Sequence, residues 1–179
     1  FWWGAEGPEP CKKLYHLLYD QLTNVYGLDN LIWQWTGGTF ETSANWHPGD
    51  DVVDMIGYDK YNAVDGKPNL SSIASTFYTL VQSTDGEKMV AMTENDSIPS
   101  LENLVNDKAA WLYFCPWYMN YLTSEQNNPK ENVKELYQAG CKACTVSIPL
   151  KYMHTPAEII QTDDVENTGR LIAAYIRSF

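Results

Sequence analysis

Basic side chains are scarce in this sequence. Across 179 residues, 12 Lys and Arg face 23 Asp and Glu, a formal net charge of −11. Phosphate backbones are gripped by clustered Lys and Arg, so this balance argues against a nucleic-acid partner. It argues equally against an anionic membrane surface. Long apolar runs are missing: none approaches the ~18 residues of a membrane span, so no membrane partner is expected. Cysteine is sparse, and Cys11, Cys115, Cys141 and Cys144 are too few for a disulfide framework. Cys141 and Cys144 have the spacing of a redox or zinc pair. No second pair joins them, and Cys144 leads straight into the strand-like Thr145-Val146-Ser147-Ile148. Neither a metal nor a cofactor is expected. No leader is read in the opening Phe1-Trp2-Trp3-Gly4, which has neither Met nor a basic n-region; a removed signal and a start inside a longer gene both fit that opening.

Aromatic side chains are abundant, with 7 Trp and 12 Tyr. Flat amphipathic rings stack on the apolar faces of sugars and offer a polar edge to hydroxyls. Taken singly, each ring is more simply explained by packing. Their positions along the chain decide the matter.

Pro8 to Val25 has Leu14, Leu17, Leu18, Leu22 and Val25 at three-to-four spacing, which predicts a helix. Leu31 to Trp35 is a short apolar strand of the kind buried in parallel sheets. Strands are predicted over Val52 to Tyr58, Lys88 to Thr93 and Trp111 to Cys115. Helices are predicted over about Ser71 to Gln82, Ser100 to Asp107 and Pro129 to Gln138. A fifth unit follows, with a strand over Cys144 to Pro149 and a helix over Val165 to Arg177. Strand and helix thus alternate five times, which predicts α/β architecture with a parallel sheet and right-handed crossovers. The length falls short of the roughly 250 residues of a complete (β/α)₈ barrel.

Function in such folds collects at the C-terminal ends of the strands. There this sequence places Trp33 and Trp35, then Tyr58, Asp59 and Tyr61, then Glu94, then Trp117 and Tyr118. One carboxylate ringed by Trp and Tyr at one end of a parallel sheet is the constellation of a carbohydrate site. Glu94 directly follows the run Met89-Val90-Ala91-Met92-Thr93, so its carboxylate emerges as the strand leaves the core. A nearby tyrosine hydroxyl can orient it and keep it ionised.

Three separated motifs carry a resemblance. Phe1-Trp2-Trp3-Gly4, then Trp46-His47-Pro48-Gly49-Asp50-Asp51 running on to Tyr58-Asp59, then Met92-Thr93-Glu94 resemble, in order, the β-mannanases of glycoside hydrolase family 26. The likeness covers about residues 1–138. It implies part of a TIM-type barrel, roughly half, with four to five βα units. It implies hydrolysis of β-1,4-mannosidic bonds with retention, by two glutamates. By motif, Glu94 matches the nucleophile, and Tyr61 or Tyr58 matches the tyrosine that contacts it. Trp117 matches an aromatic near the cleaved sugar, and Trp2 and Trp3 match the aromatic run after the fourth strand. With Trp35, these tryptophans would line the sugar subsites. The family's acid/base glutamate lies just before the Phe-Trp-Trp-Gly motif and has no counterpart here. Glu6, Glu9, Glu41 or a second chain would have to supply it; otherwise the chain is an incomplete, inactive fragment. The implied partner is a polysaccharide, β-mannan, glucomannan or a β-glucan, and the implied location is extracellular.

From about residue 139 the likeness changes. Val146-Ser147-Ile148-Pro149-Leu150-Lys151-Tyr152-Met153-His154-Thr155-Pro156 resembles the C-terminus of the dinuclear-metal glutamyl or deblocking aminopeptidases. His154 matches that family's last metal ligand, but the other ligands have no counterpart, so residues 139–179 are expected as an appended βα unit. Parallel strands with helices on one side leave a second face uncovered, so a homo-oligomer is expected.

Overall fold

The structure, a computed structural model, describes residues 2–63, 66–118, 120–139, 150–151, 159–160 and 170. Cys141, Cys144, the strand expected up to Pro149, His154 and the helix expected over 165–177 lie outside those residues. One compact unit comprises Trp3–Cys141 and a second Lys142–Phe179.

Four parallel strands form the sheet of the first unit: β1 Gln34–Gly37, β2 Met55–Lys60, β3 Met89–Asn95 and β4 Phe114–Pro116, in the order β1-β2-β3-β4. Helix α1 spans Pro8–Tyr19 and precedes β1. The chain continues over Asp20–Val25 in a wider π winding, and Gly27, at φ 66°, ends it. Helix α2, Ala74–Gln82, links β2 to β3, and α3, Leu101–Asp107, links β3 to β4. Ser100 caps α3 by accepting from the Asn103 amide. After β4 come α4, Asn120–Thr123, and α5, Lys130–Gln138. In the second unit, β5, Leu150–Lys151, pairs antiparallel with β6, Ile159–Ile160.

Three strands start clearly later than expected, β2 among them, which begins at Met55 rather than Val52. β1 begins at Gln34 because β2 offers its first partner at Met55, opposite Gln34. Leu31 and Ile32 lie before the pairing and are exposed. β4 begins at Phe114, since Trp111 is spent on the core. That indole is buried and its Nε1 donates to the Ser72 carbonyl at 2.8 Å.

The core gathers Ile56 of β2, Val90 and Met92 of β3, Phe77 and Leu80 of α2, and Trp111. Strand side chains alternate between faces, so Ile56 and Tyr58 look toward this core while Gly57 and Asp59 look away from it. Lys60 is fully buried. Its Nζ donates to the carbonyls of Asn69 at 2.5 Å and Ser97 at 3.0 Å, and lies 4.0 Å from Asp96 Oδ1. Burial lowers its pKa to about 8, with Asp96 opposing the shift. This one side chain ties together the loops that leave β2 and β3.

Candidate active site

The end of β3 is irregular. Tyr58 pairs with Met92, but the next residue of β2, Asp59, pairs with Glu94, so Thr93 is an extra residue in β3. Such a bulge re-aims side chains. The consecutive residues Thr93 and Glu94 both reach groups of the β2 end. Thr93 Oγ1 donates to Asp59 Oδ1 at 2.8 Å, and Glu94 Oε2 accepts from Tyr61 Oη at 2.9 Å.

The hydrogen bonds continue across the sheet. Thr36 Oγ1 of β1 donates to Thr93 Oγ1 at 3.1 Å, and the Glu94 amide donates to the Asp59 carboxylate. Gly57 makes room for this packing: a Cβ there would lie 2.3 Å from Thr93 Cγ2 and 2.7 Å from Thr36 Oγ1. Tyr113 Oη donates to Gln34 Oε1, bridging β1 and the start of β4.

The electrostatics follow from crowding. Partial burial among the strand ends raises the pKa of Asp59, with the Thr93 and Glu94 donors opposing the rise. Burial first, and then Glu94, push the Tyr61 phenol far above its ordinary value, so Tyr61 stays a donor. Cys115 was given no part in the site by the sequence. Its thiol is raised by burial and by the fields of Glu94 and Asp59, which places it beside the carboxylate pair.

The predicted tyrosines therefore part company. Tyr61 reaches Glu94, whereas Tyr58 packs against the core from the opposite face. Thr36 takes the Glu94 face, so Trp35 takes the other, packs against the core, and meets His47 edge-on at 4.8 Å. Trp117 is tied to the site through its backbone, its amide donating to the carbonyl of Asn95, the residue after Glu94, at 2.9 Å. Its ring stands 5.4 Å from that of Tyr118. Tyr121, which sequence reading passed over, stands edge-on to Tyr61 at 5.8 Å. Trp2 lies in the 3₁₀ turn Trp2–Gly4, and its side chain is outside the described set.

A groove of about 810 Å³ runs between α1 and β1. Trp3, Trp46 and Phe40 line it, with Trp35, and Asp59 is the one carboxylate in its wall. Trp46 was legible only as part of its motif; its ring lies against Gly4, where a Cβ would be 3.3 Å away. Glu6, Glu9 and Glu41 are exposed and do not line the groove, and Glu9 pairs with Lys12 at 2.5 Å.

Known proteins are similar to this chain over most of its length. A mannan endo-1,4-beta-mannosidase of Thermothelomyces thermophilus is 36% identical over 137 residues, covering 76% of this chain and 27% of that protein. The crystal structure of a ruminal GH26 endo-beta-1,4-mannanase matches with a TM-score of 0.74 at 45% identity, over 79% of this chain and 31% of that one. The β-mannanase of a symbiotic protist of the termite Reticulitermes speratus, solved with gluco-manno-oligosaccharide, matches at 0.67 and 34% identity, over 80% and 42%. The chain spans less than half the length of each of these proteins, and its parallel sheet is part of a barrel. The profile of the M42 glutamyl aminopeptidases matches residues 118–171. The profile of glycosyl hydrolase family 26 matches residues 1–143, and the chain belongs to that family.

Proposed function

We propose that this chain carries the nucleophile side of a retaining glycosidase site for β-1,4-mannan or a related β-1,4-glucan. The observation that carries the reading is the 2.9 Å bond from Tyr61 Oη to Glu94 Oε2 at the bulged end of β3. In this reading Glu94 attacks the anomeric carbon, Tyr61 fixes the attacking carboxylate, and Trp117 and Trp3 stack on sugar rings. Retention requires a second carboxyl group about 5–5.5 Å from the first. Secretion belongs to the same proposal, because the polymer lies outside the cell.

Release of reducing sugar from mannan, glucomannan and carboxymethylcellulose tests it. The wild-type chain is expected to act on mannan and Glu94→Ala to be inactive; equal activity in the variant sinks the assignment. A second reading, a carbohydrate-binding module without catalysis, draws support from the exposed, outlying positions of Glu6, Glu9 and Glu41. Retarded migration in mannan gels without sugar release would favour it. The tail from residue 139 is proposed as an appended piece of aminopeptidase type, supported by the match over 118–171.

A further inference from the structure

We infer that Lys60 and Asp96 are a positioning pair, a buried clamp behind the strand ends that holds Tyr61 against Glu94. The two residues flank the site in sequence. Lys60 stands between Asp59 and Tyr61, and Asp96 closely follows Glu94. The pleat turns Asp59 and Tyr61 to one face of the sheet and Lys60 to the other. Neither Lys60 nor Asp96 lines the groove, so the pair acts from behind, through the residues that do the chemistry.

The clamp has two jaws. Lys60 Nζ donates to the carbonyls of Asn69 and Ser97, one in the loop that leaves β2 and one in the loop that leaves β3. Asp96 closes on it from the other side. Its Oδ2 accepts from the Ala63 amide at 2.8 Å and its Oδ1 from the Ser97 amide at 2.6 Å. Its own amide donates to the Lys60 carbonyl at 3.0 Å. The segment bearing Tyr61 is thus tied, before and after that residue, to the turn that follows Glu94. Asn128 adds a second route. Its Nδ2 donates to the carbonyls of Asp96 at 3.0 Å and Tyr121 at 2.6 Å, and the Tyr121 ring stands edge-on to that of Tyr61. The other polar side chains of the turn give no such support. The Asn95 amide and Ser97 Oγ are buried without a hydrogen-bond partner among the described residues.

An ammonium is among the costliest groups to bury, and a methionine of similar length would fill the same space without that penalty. Lys60 is nevertheless fully buried, and Asp96 is 3% exposed. The charge serves what it fixes: the carbonyls of two loops, which a thioether cannot hold. The lever is short. Tyr61 directly follows Lys60, and its Oη meets Glu94 Oε2 at 2.9 Å, so a shift of either loop opens that bond. The clamp's effect on rate rests on the glycosidase reading; its effect on the Tyr61 phenol does not.

Nuclear magnetic resonance of the full chain, with tyrosine labelled isotopically at Cζ, reads the phenol without any assay of activity. The resonance that vanishes in Tyr61→Phe belongs to Tyr61, and its position in Glu94→Ala marks the phenol without its acceptor. Lys60→Met combined with Asp96→Asn leaves neither partner as an unpaired buried charge. In that variant the Tyr61 resonance should move toward its Glu94→Ala position while circular dichroism is unchanged. If the double variant does not fold, Asp96→Asn alone, which leaves Lys60 its two carbonyls, should show a smaller move in the same direction. A folded variant whose Tyr61 resonance keeps the wild-type position overturns the proposal. Where the wild-type chain releases sugar from mannan, the double variant should lose up to about 100-fold in kcat with KM little changed, as for a reacting group misplaced by about 1 Å. Loss in KM alone overturns the proposal as well. A resonance that moves as expected, in a protein whose wild type releases no sugar, supports the clamp and fails the glycosidase reading instead.

Discussion

Tyr61 is the residue on which the site's chemistry turns. Its phenol is held in the neutral form by burial and by Glu94, so it donates throughout the range in which a glycosidase works. A hydrogen bond to a charged acceptor is worth about 1.5–3 kcal/mol, or roughly 10- to 150-fold in rate if it is lost at the transition state. Tyr61→Phe should therefore lower kcat on mannan by about that factor while leaving thermal unfolding nearly unchanged. Tyr58→Phe supplies the comparison. Its ring packs against the core on the opposite face, so kcat should hold. Equal losses in the two variants would remove Tyr61 from its role. The alternation of a strand already held this distinction, because Asp59 and Tyr61 share one parity and Tyr58 the other. Applied to β1, the same rule separates Thr36 from Trp35. Trp35 is half-buried, packing on the core while it also stands in the wall of the groove with Trp3 and Trp46.

At the scale of elements, the four strands and their helices were legible because apolar runs alternate with helical spacing. The starts of β1, β2 and β4 were not. Pairing partners set those ends, and a partner is a tertiary fact. The bulge at Thr93 was hidden for the same reason, since nothing in Met92-Thr93-Glu94 announces an extra residue until β2 lies beside it. Gly57 is the element-scale condition for that bulge. It stands between Thr36 and Thr93, whose side chains would meet any Cβ at 2.3–2.7 Å. Both neighbours sit in the sheet and are linked to each other by a hydrogen bond, so neither gives way cheaply. Gly57→Ala should cost about 1–3 kcal/mol through overpacking. Chemical denaturation would record the loss as a lower midpoint with an unchanged slope. A variant as stable as wild type would mean that the strand ends are looser than drawn.

The whole molecule carries −11, and moderate acidification relieves part of that self-repulsion by protonating carboxylates. His47 pulls the other way. Its Nδ1 accepts from the Gly49 amide at 3.2 Å, in a turn that Gly49 makes at φ 127°. Its ring meets Trp35, and its Nε2 lies 3.5 Å from Asp50 Oδ1. Burial lowers the His47 pKa below 6.5; Asp50 opposes the shift and Lys88 adds to it. Protonation would place an N–H against the Gly49 N–H and break the turn's bond. His16 holds the same loop by donating from Nε2 to the Pro48 carbonyl at 2.7 Å. The folded state thus binds the His47 proton less tightly than the unfolded chain does. The stability this residue contributes is complete above about pH 6.5 and is lost as pH falls from there through the folded-state pKa. Melting temperatures taken from pH 8 to pH 5 should therefore decline below about 6.5. His47→Asn, whose Oδ1 can accept from Gly49 but does not titrate, should flatten that decline. Parallel pH profiles for the two proteins would show that acid acts elsewhere in the molecule.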